Sequence, residues 1–250
     1  MKSSSDQDRS RAPPERSDTA GSHARERGHP PAKGLFIAGT DTGVGKTRVA
    51  VSLIAGLAAR GVRVAAMKPV AAGAELTPEG LQNEDARLLA AAANVRVAYA
   101  MVNPYCLRAP VSPHIAAEEA GIVIDPALIR TRYEALAAVA DRVIVEGAGG
   151  WLAPIGAART MEDVAVALGL PVVLVVGLRL GCLSHALLTA RAIRASGLPI
   201  AHWVGNAIDP AFERSRENIA TLSAALGPPL ATLAFSIEPR YDRDTISVSL

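Results

Sequence analysis

Short apolar runs alternate with longer amphipathic stretches between Gly34 and Phe235. The short runs predict strands because nearly every residue in them is apolar, whereas the longer stretches repeat apolar residues at helical spacing. The predicted strands are Leu35–Ala38, Val62–Met67, Arg142–Val145, Val172–Val176, Ile200–Val204 and Ala231–Phe235. The predicted helices are Lys46–Arg60, Leu81–Ala93, Pro126–Ala140, Met161–Leu168, Leu183–Ala195 and Ala211–Leu226.

This alternation predicts an α/β fold of three layers, in which a mainly parallel sheet is flanked by helices on both faces. Glycines stand where four predicted helices should end, and the next strand follows each of them closely. These glycines are Gly61, Gly169, Gly197 and Gly227. Ligands of such folds bind beyond the carboxyl ends of the strands, so functional residues should follow strands.

Residues 1–33 have a different composition, rich in Ser, Arg, Asp and Pro and without hydrophobic periodicity. Such a segment cannot bury enough apolar surface to offset the entropy lost on ordering. We therefore expect a disordered tail over 1–33 and a single domain over 34–250. The tail holds seven basic and five acidic residues, which leaves 19 of each in the rest of the chain.

Composition excludes several classes of protein. A net charge of +2 on 250 residues offers no basic face for nucleic acid, and no long uninterrupted apolar run predicts a membrane span. The two cysteines, Cys106 and Cys182, are too few for a disulfide framework and suit a reducing compartment. Because no apolar signal region is seen near residue 1 either, we expect a cytoplasmic protein.

A glycine-rich phosphate loop joins the first predicted strand to the first predicted helix. It spans 39–47 and reads Gly-Thr-Asp-Thr-Gly-Val-Gly-Lys-Thr. Backbone N–H groups in such a loop converge on phosphate oxygens, Lys46 would reach the β- and γ-phosphates, and the Thr47 hydroxyl would bind Mg²⁺. The first glycine lies one position early, and an ordinary turn capped by Thr is the alternative. The order of the parts favours a P-loop NTPase-like domain.

Lysine is rare in this chain and stands only at positions 2, 33, 46 and 68. Arginine fills the other basic positions, so a retained lysine suggests a place that suits a compact ammonium group. Lys68 follows the second predicted strand and should lie at the same edge of the sheet as Lys46. The alternative is an ordinary surface lysine at a strand end.

Two carboxylates are candidate metal ligands. Glu146 ends the strand before Gly147–Gly150, which is the arrangement that presents a carboxylate to Mg²⁺ beside a phosphate loop. Asp85 could be a second metal ligand or could cap a nearby helix, and spacing alone leaves both open.

The start of the 183–195 helix could bind an anion or could be an ordinary start capped by Ser184. His114 is interpreted as a helix-start residue, and no zinc spacing or Gly-x-Ser-x-Gly elbow occurs.

The chain resembles the dethiobiotin synthetase family in several motifs that occur in order. Besides the phosphate loop, they are Lys-Pro-Val (68–70), Thr-Pro-Glu-Gly-Leu (77–81), Val-Asn-Pro-Tyr (102–105), Ser-Pro-His (112–114), Val-Glu-Gly-Ala-Gly-Gly-Trp (145–151) and the stretch 180–190. The resemblance implies a homodimeric ligase that converts 7,8-diaminononanoate, CO₂ and MgATP into dethiobiotin, ADP and phosphate. It implies no nucleic-acid or membrane partner.

The resemblance also implies roles for individual residues. Lys46 and Lys68 match the family's two active-site lysines, and Thr47, Asp85 and Glu146 match its magnesium ligands. The residues matched to nucleotide binding are Gly43, Val44, Gly45, Lys46, Thr47, Arg48, Asp85, Glu146, Gly147, Ala148, Gly149, Asn206, Ala234, Phe235 and Ser236. The residues matched to the substrate are Thr42, Ala72, Gly149, Cys182, Leu183 and Ser184.

Some positions depart from the family pattern. Ala72 stands where many members have a serine that contacts the substrate, and Gly43 replaces an acidic residue of some members. Asn218 stands where some members place a tyrosine, and Ala234 replaces a proline near the base.

Two other P-loop classes are alternatives. A partitioning-type ATPase would carry an extra lysine at position 41, which is Asp41 here, and a cobyrinate-type amide ligase would need a glutaminase domain.

Overall fold

Strands and helices alternate through residues 33–236, which a computed structural model describes together with Ile246. The strands are β1 (Gly34–Gly39), β2 (Val64–Met67), β3 (Val70–Ala71), β4 (Glu75–Thr77), β5 (Gly80–Gln82), β6 (Tyr105–Cys106), β7 (Arg142–Glu146), β8 (Pro154–Gly156), β9 (Arg159–Thr160), β10 (Val172–Leu178), β11 (Ile200–Ala207) and β12 (Ala231–Leu233). The helices are α1 (Lys46–Ala59), α2 (Glu84–Ala92), α3 (Tyr99–Val102), α4 (Pro113–Glu119), α5 (Pro126–Val139), α6 (Met161–Leu168), α7 (Cys182–Ala195) and α8 (Ser215–Leu226).

Six of these strands form one sheet in the order β12-β11-β10-β1-β7-β2, and all of its neighbours run parallel. The other strands form small pairs: β3 lies parallel to β6, whereas β4–β5 and β8–β9 are antiparallel. Strand β1 lies between β7 and β10, so the loops that follow these three strands emerge side by side.

Alternate residues of β1 face two different cores. Phe36 belongs to a cluster that includes Leu136 of α5, whereas Ile37 belongs to a cluster that includes Leu53 of α1. This alternation follows from the two-residue period of a strand, and both faces are apolar because helices cover each one. The predicted three-layer architecture is therefore confirmed, and each of the six predicted strands lies in the sheet.

Several predicted helix boundaries are wrong by a few residues. Helix α2 was predicted from Leu81 but begins at Glu84, because Gly80–Gln82 pairs with β4 and the Asn83 side chain accepts a hydrogen bond from the Ala86 N–H. The last helix was predicted from Ala211 and begins at Ser215. The strand predicted to end at Phe235 ends at Leu233.

The tail prediction lies outside the described residues except at Lys33, whose ammonium group donates a hydrogen bond to the Ala137 carbonyl. Within the described part of the chain, no helix is long and apolar enough to cross a bilayer.

Candidate active site

The phosphate loop follows β1 and requires glycine at position 45. Gly45 adopts a left-handed φ of 91°, and a Cβ atom placed there would overlap the side-chain amide of Asn206. Only glycine combines this φ with this close approach. The Asn206 amide donates to the Val44 carbonyl at 2.9 Å, so β11 holds the loop in place.

Lys46 begins α1 and points back into the loop. Its ammonium group donates to the Asp41 carbonyl at 3.0 Å, and the residue is 7% exposed. Burial, together with the neighbouring Lys68 ammonium, lowers the pKa of Lys46 to about 8, although nearby carboxylates act in the opposite direction. An ammonium group held in this way can donate to a phosphate oxygen, which is a stronger acceptor than a neutral carbonyl because it is charged.

Lys68 and two carboxylates form the buried charged centre of the site. The Lys68 ammonium donates to Glu146 Oε1 at 2.6 Å and to Asp85 Oδ2 at 3.1 Å. Burial alone would lower the pKa of Lys68, but the attraction of both carboxylates outweighs it and raises that pKa. Burial acts to raise the pKa of Asp85, yet the Lys68 ammonium outweighs it and the pKa is lowered. Lys68 and Asp85 are therefore both charged near neutral pH.

Glu146 keeps one carboxylate oxygen for a further partner. Its Oε1 accepts hydrogen bonds from Lys68 and from the Thr47 hydroxyl, the latter at 2.9 Å. Its Oε2 is buried and has no hydrogen-bond partner among the described residues. A buried carboxylate oxygen without a partner is costly unless a cation occupies the place beside it.

These oxygens suit a magnesium ion bound together with phosphate. Among residues 33–236 and Ile246, no three His, Cys, Asp or Glu side chains come together as a metal cluster. Mg²⁺ does not need such a cluster, because it commonly binds through one or two carboxylates, phosphate oxygens and water. Thr47, Asp85 and Glu146 supply a hydroxyl and two carboxylates, and the free Glu146 Oε2 supports this fit.

Arg48 and Asn206 meet at the other end of the phosphate loop. The Arg48 guanidinium donates to Asn206 Oδ1 at 3.0 Å and to the Ala234 carbonyl at 2.8 Å. Asn206 is 4% exposed and lies at the end of β11, so both sides of its amide already have a protein partner. The arrangement joins β11 to the segment that follows β12.

These groups line one cavity of about 940 Å³. Of the residues expected at the site, it is lined by Thr42, Gly43, Gly45, Lys46, Thr47, Arg48, Lys68, Ala72, Asp85, Glu146, Ala148, Gly149, Asn206, Phe235 and Ser236. The sequence did not single out several other lining residues, which include Asn83, Leu88, Pro110, Gly150, Pro154 and Ile208. A volume of this size suits a ligand as large as a nucleotide together with a second small molecule.

Six expected residues are not part of the cavity wall: Val44, Gly147, Ala234, Cys182, Leu183 and Ser184. Val44 is buried, and its carbonyl accepts a hydrogen bond from Asn206, which does line the cavity. The Gly147 carbonyl accepts a hydrogen bond from Lys68 at 3.3 Å.

The start of α7 lies outside this cavity. Cys182 is buried, its N–H donates to the Arg179 carbonyl, and its Sγ lies 3.8 Å from Asn218 Oδ1. Gly181 is the N-cap residue, so the interpretation of Ser184 as the cap is wrong. The segment before α7 is also tied to the phosphate loop, because Arg179 donates to Asp41 Oδ2 at 2.9 Å.

Comparison with known sequences identifies relatives over most of the chain. The model of a family described as "AAA domain" matches residues 33–233. The ATP-dependent dethiobiotin synthetase BioD of Aromatoleum aromaticum is 52% identical over 195 residues, which cover 78% of this chain and 87% of the relative. The protein of the same name from Nitrosospira multiformis is 52% identical over 198 residues, and these cover 79% and 86%.

Among solved structures, a ParA family ATPase from Chlorobium tepidum superimposes with a TM-score of 0.51 at 14% identity, covering 83% of this chain and 86% of that one. The signal recognition particle receptor FtsY from Elizabethkingia anophelis in complex with GDP superimposes with a TM-score of 0.50 at 14% identity, covering 88% of this chain and 61% of that one. At this identity the likeness concerns the fold alone, and it agrees with the predicted P-loop NTPase-like architecture.

Proposed function

The chain belongs to the ATP-dependent dethiobiotin synthetase family, and from this we infer that it is an ATP-dependent ligase that makes dethiobiotin. We propose 7,8-diaminononanoate and CO₂ as the substrates, with ADP and phosphate released beside the product. The observation that carries the proposal is the meeting of Lys46, Lys68 and Glu146 in one cavity at the end of β1 and β7.

The proposed reaction has three bond-forming steps. One substrate amine adds to CO₂ and loses a proton, which gives a carbamate. A carbamate oxygen then attacks the γ-phosphorus, and the bond from phosphorus to the ADP oxygen breaks. The second amine attacks the carbamate carbon of the resulting carbamic-phosphoric anhydride and loses a proton, and the bond from that carbon to the phosphate oxygen breaks, so phosphate leaves as the cyclic urea closes. Negative charge gathers on phosphoryl oxygens throughout, so fixed positive charge is the catalytic need.

The two lysines meet this need from different positions. Lys46 lies on the phosphate loop, where its ammonium can leave the Asp41 carbonyl for the β- and γ-phosphates. Lys68 follows β2, is held by Glu146 and Asp85 and keeps its proton, so it can supply a fixed positive charge to the transferring group. Preorganised charge of this kind accelerates phosphoryl transfer with no nucleophile from the protein.

We propose Thr47, Asp85 and Glu146 as the residues that hold Mg²⁺. When bound, the ion would neutralise charge on the β- and γ-phosphate oxygens. Glu146 would offer its Oε2, which has no protein partner, and Lys68 would keep Oε1 in place. Asp85 lies on the first turn of α2 and is the more exposed of the two carboxylates.

We propose that two copies of the chain associate through the region of α7. Leu180 and Leu188 are 87% and 60% exposed, which is unusual for large apolar side chains so close together in the sequence. Residues 182–184 lie outside the cavity of their own chain. The family resemblance implies that the start of this helix receives the substrate carboxylate of a second copy, and Ser184 is exposed there. We further propose a single ligase domain over 34–250 and a cytoplasmic location, which suits two free cysteines.

The proposed function predicts that ATP turnover depends on the diamine. Protein supplied with MgATP and bicarbonate should release ADP much faster when 7,8-diaminononanoate is added, and mass spectrometry should find the cyclic urea. The partitioning-type ATPase, which shares the fold, would hydrolyse ATP without the diamine. ADP release that ignores the diamine, with no cyclic urea formed, would therefore overturn the proposal.

The lowered pKa of Lys46 predicts that nucleotide binding weakens in alkaline solution. Lys46 carries its charge below a pKa of about 8 and loses it above. A bound triphosphate favours the charged form, so above that pH the dissociation constant should rise by up to about tenfold per pH unit. Calorimetric titration with a non-hydrolysable ATP analogue between about pH 7 and 9.5 measures this rise.

Lys46→Arg is the control for this titration. A guanidinium group stays protonated over the whole range, so its pH dependence should be flat even though its broader shape weakens binding. An equal rise in the dissociation constant for Lys46→Arg would show that another group titrates.

A further inference from the structure

The Val-Asn-Pro-Tyr motif at 102–105 clamps the backbone of Lys68. The Lys68 N–H donates to the Val102 carbonyl at 2.7 Å, and the Lys68 carbonyl accepts from the Asn103 amide, also at 2.7 Å. Asn103 is 2% exposed and also donates to the Tyr105 carbonyl. Both backbone groups of Lys68 are thus fixed by a segment that lies far along the chain and contributes nothing to the wall of the cavity.

The Tyr99 hydroxyl connects this clamp to the start of α2. It donates to Asn103 Oδ1 at 3.2 Å and accepts from the Asn83 N–H at 2.8 Å. Burial chiefly raises the pKa of Tyr99 to about 12, so the hydroxyl keeps the proton that it donates. One phenol group therefore bridges the backbone of Lys68 and the residue that caps α2.

Asn83 completes the connection. Its side chain caps α2 through the Ala86 N–H, and its Nδ2 donates to the Ala72 carbonyl at 3.2 Å. Ala72 lies on the segment that continues from Lys68, and Asp85 lies two residues after Asn83 in the first turn of the helix. Asn83 thus holds the Lys68 segment and the Asp85 helix together.

We propose that Tyr99, Asn103 and Asn83 form a positioning bridge that keeps the Lys68 ammonium and the Asp85 carboxylate in register for metal and phosphate. This inference rests on the proposed function, because that function requires Lys68 and Asp85 to be held for metal and phosphate. Tyr99 and Asn103 lie outside the cavity wall, so they act through Lys68 and Asp85 and not on the substrate. The 3.1 Å separation of those two charged groups is the geometry that the bridge maintains.

The bridge predicts a metal-binding defect in Tyr99→Phe. This variant keeps the ring but removes the acceptor of the Asn83 N–H and the donor to Asn103. The affinity for Mn²⁺ in the presence of a non-hydrolysable ATP analogue should fall about tenfold, and kcat by a similar factor, while the KM for the diamine changes little. Free Mn²⁺ counted by electron paramagnetic resonance measures the first effect without any turnover.

Two further variants keep this test decisive. Tyr133→Phe removes the hydroxyl of another buried tyrosine, on α5, and should leave metal affinity and kcat unchanged. Asn103→Ser keeps a small polar group at a residue outside the cavity wall but loses the amide donor to the Lys68 carbonyl, so it should fold and weaken metal binding in the same way. It replaces Tyr99→Phe as the deciding variant if the latter unfolds.

The outcomes separate the bridge from the proposed function. Unchanged Mn²⁺ affinity in the folded bridge variants, or an equal loss in Tyr133→Phe, overturns the bridge even when the parent protein makes the cyclic urea. A parent protein that binds Mn²⁺ and nucleotide but shows no diamine-dependent turnover overturns the proposed function, and the binding measurement still decides on the bridge.

Discussion

Lys68→Met is expected to lower kcat about 10³-fold while nucleotide binding is largely retained, because we propose that this ammonium is a preorganised charge that stabilises the transferring group. Methionine has nearly the length of lysine but no charge. The phosphate loop and Lys46, which we propose carry most of the nucleotide contacts, are untouched by the change. Steady-state ADP release and titration with a non-hydrolysable analogue measure the two effects separately.

The same variant has a second expected effect, on the carboxylates. Without Lys68, Glu146 and Asp85 repel each other, and the buried Glu146 has lost its 2.6 Å partner. We therefore expect a lower melting temperature that Mg²⁺ raises more in the variant than in the parent protein.

Lys33→Met is the matched control. Lys33 is exposed and donates only to the Ala137 carbonyl among the described residues, so its loss should leave kcat and the effect of Mg²⁺ on melting unchanged. A Lys68→Met protein with normal kcat would remove this residue from the catalytic machinery.

Glu146→Gln is expected to weaken magnesium binding strongly. The amide keeps the shape of the side chain but replaces one anionic oxygen with a nitrogen, which a metal ion does not bind. The apparent affinity for Mg²⁺ should fall about 100-fold and kcat about 10² to 10³-fold. Measuring ADP release over a wide range of Mg²⁺ concentrations separates the two losses.

Glu134→Gln provides the comparison for this change. Glu134 lies on the surface of α5 in an exposed pair with Arg130, and its neutralisation should alter neither quantity. If Glu146→Gln responded to Mg²⁺ as the parent protein does, the free Oε2 would have another purpose and the proposed metal site would be wrong.

The sequence predicted the sheet and the phosphate loop well, because both depend on local patterns. Fully apolar runs specify buried parallel strands, and glycine with lysine and threonine between strand and helix specifies the loop. Lys68 and Glu146 could be predicted as candidate site residues for the same reason, since each directly follows a predicted apolar strand.

Other parts of the site could not be predicted from spacing. The role of Asp85 depends on where α2 begins, and that is decided by the β4–β5 hairpin and the Asn83 cap. The bridge through Tyr99 and Asn103 is a set of long-range hydrogen bonds, which no periodicity reveals. The short helices α3 and α4 are only four and seven residues long, too short to show an amphipathic pattern.

The order of strands in the sheet has a consequence for how the protein is made. Among the described strands β1 is synthesised first, yet its two neighbours are β7 and β10, which come much later in the chain. Both hydrogen-bonding edges of β1 therefore stay unpaired until the second half of the chain has been made, so we expect slow folding and a nascent polypeptide that is prone to aggregate. A truncated chain that lacks β10 should fail to fold around its phosphate loop, and chaperones should help the intact chain most during synthesis.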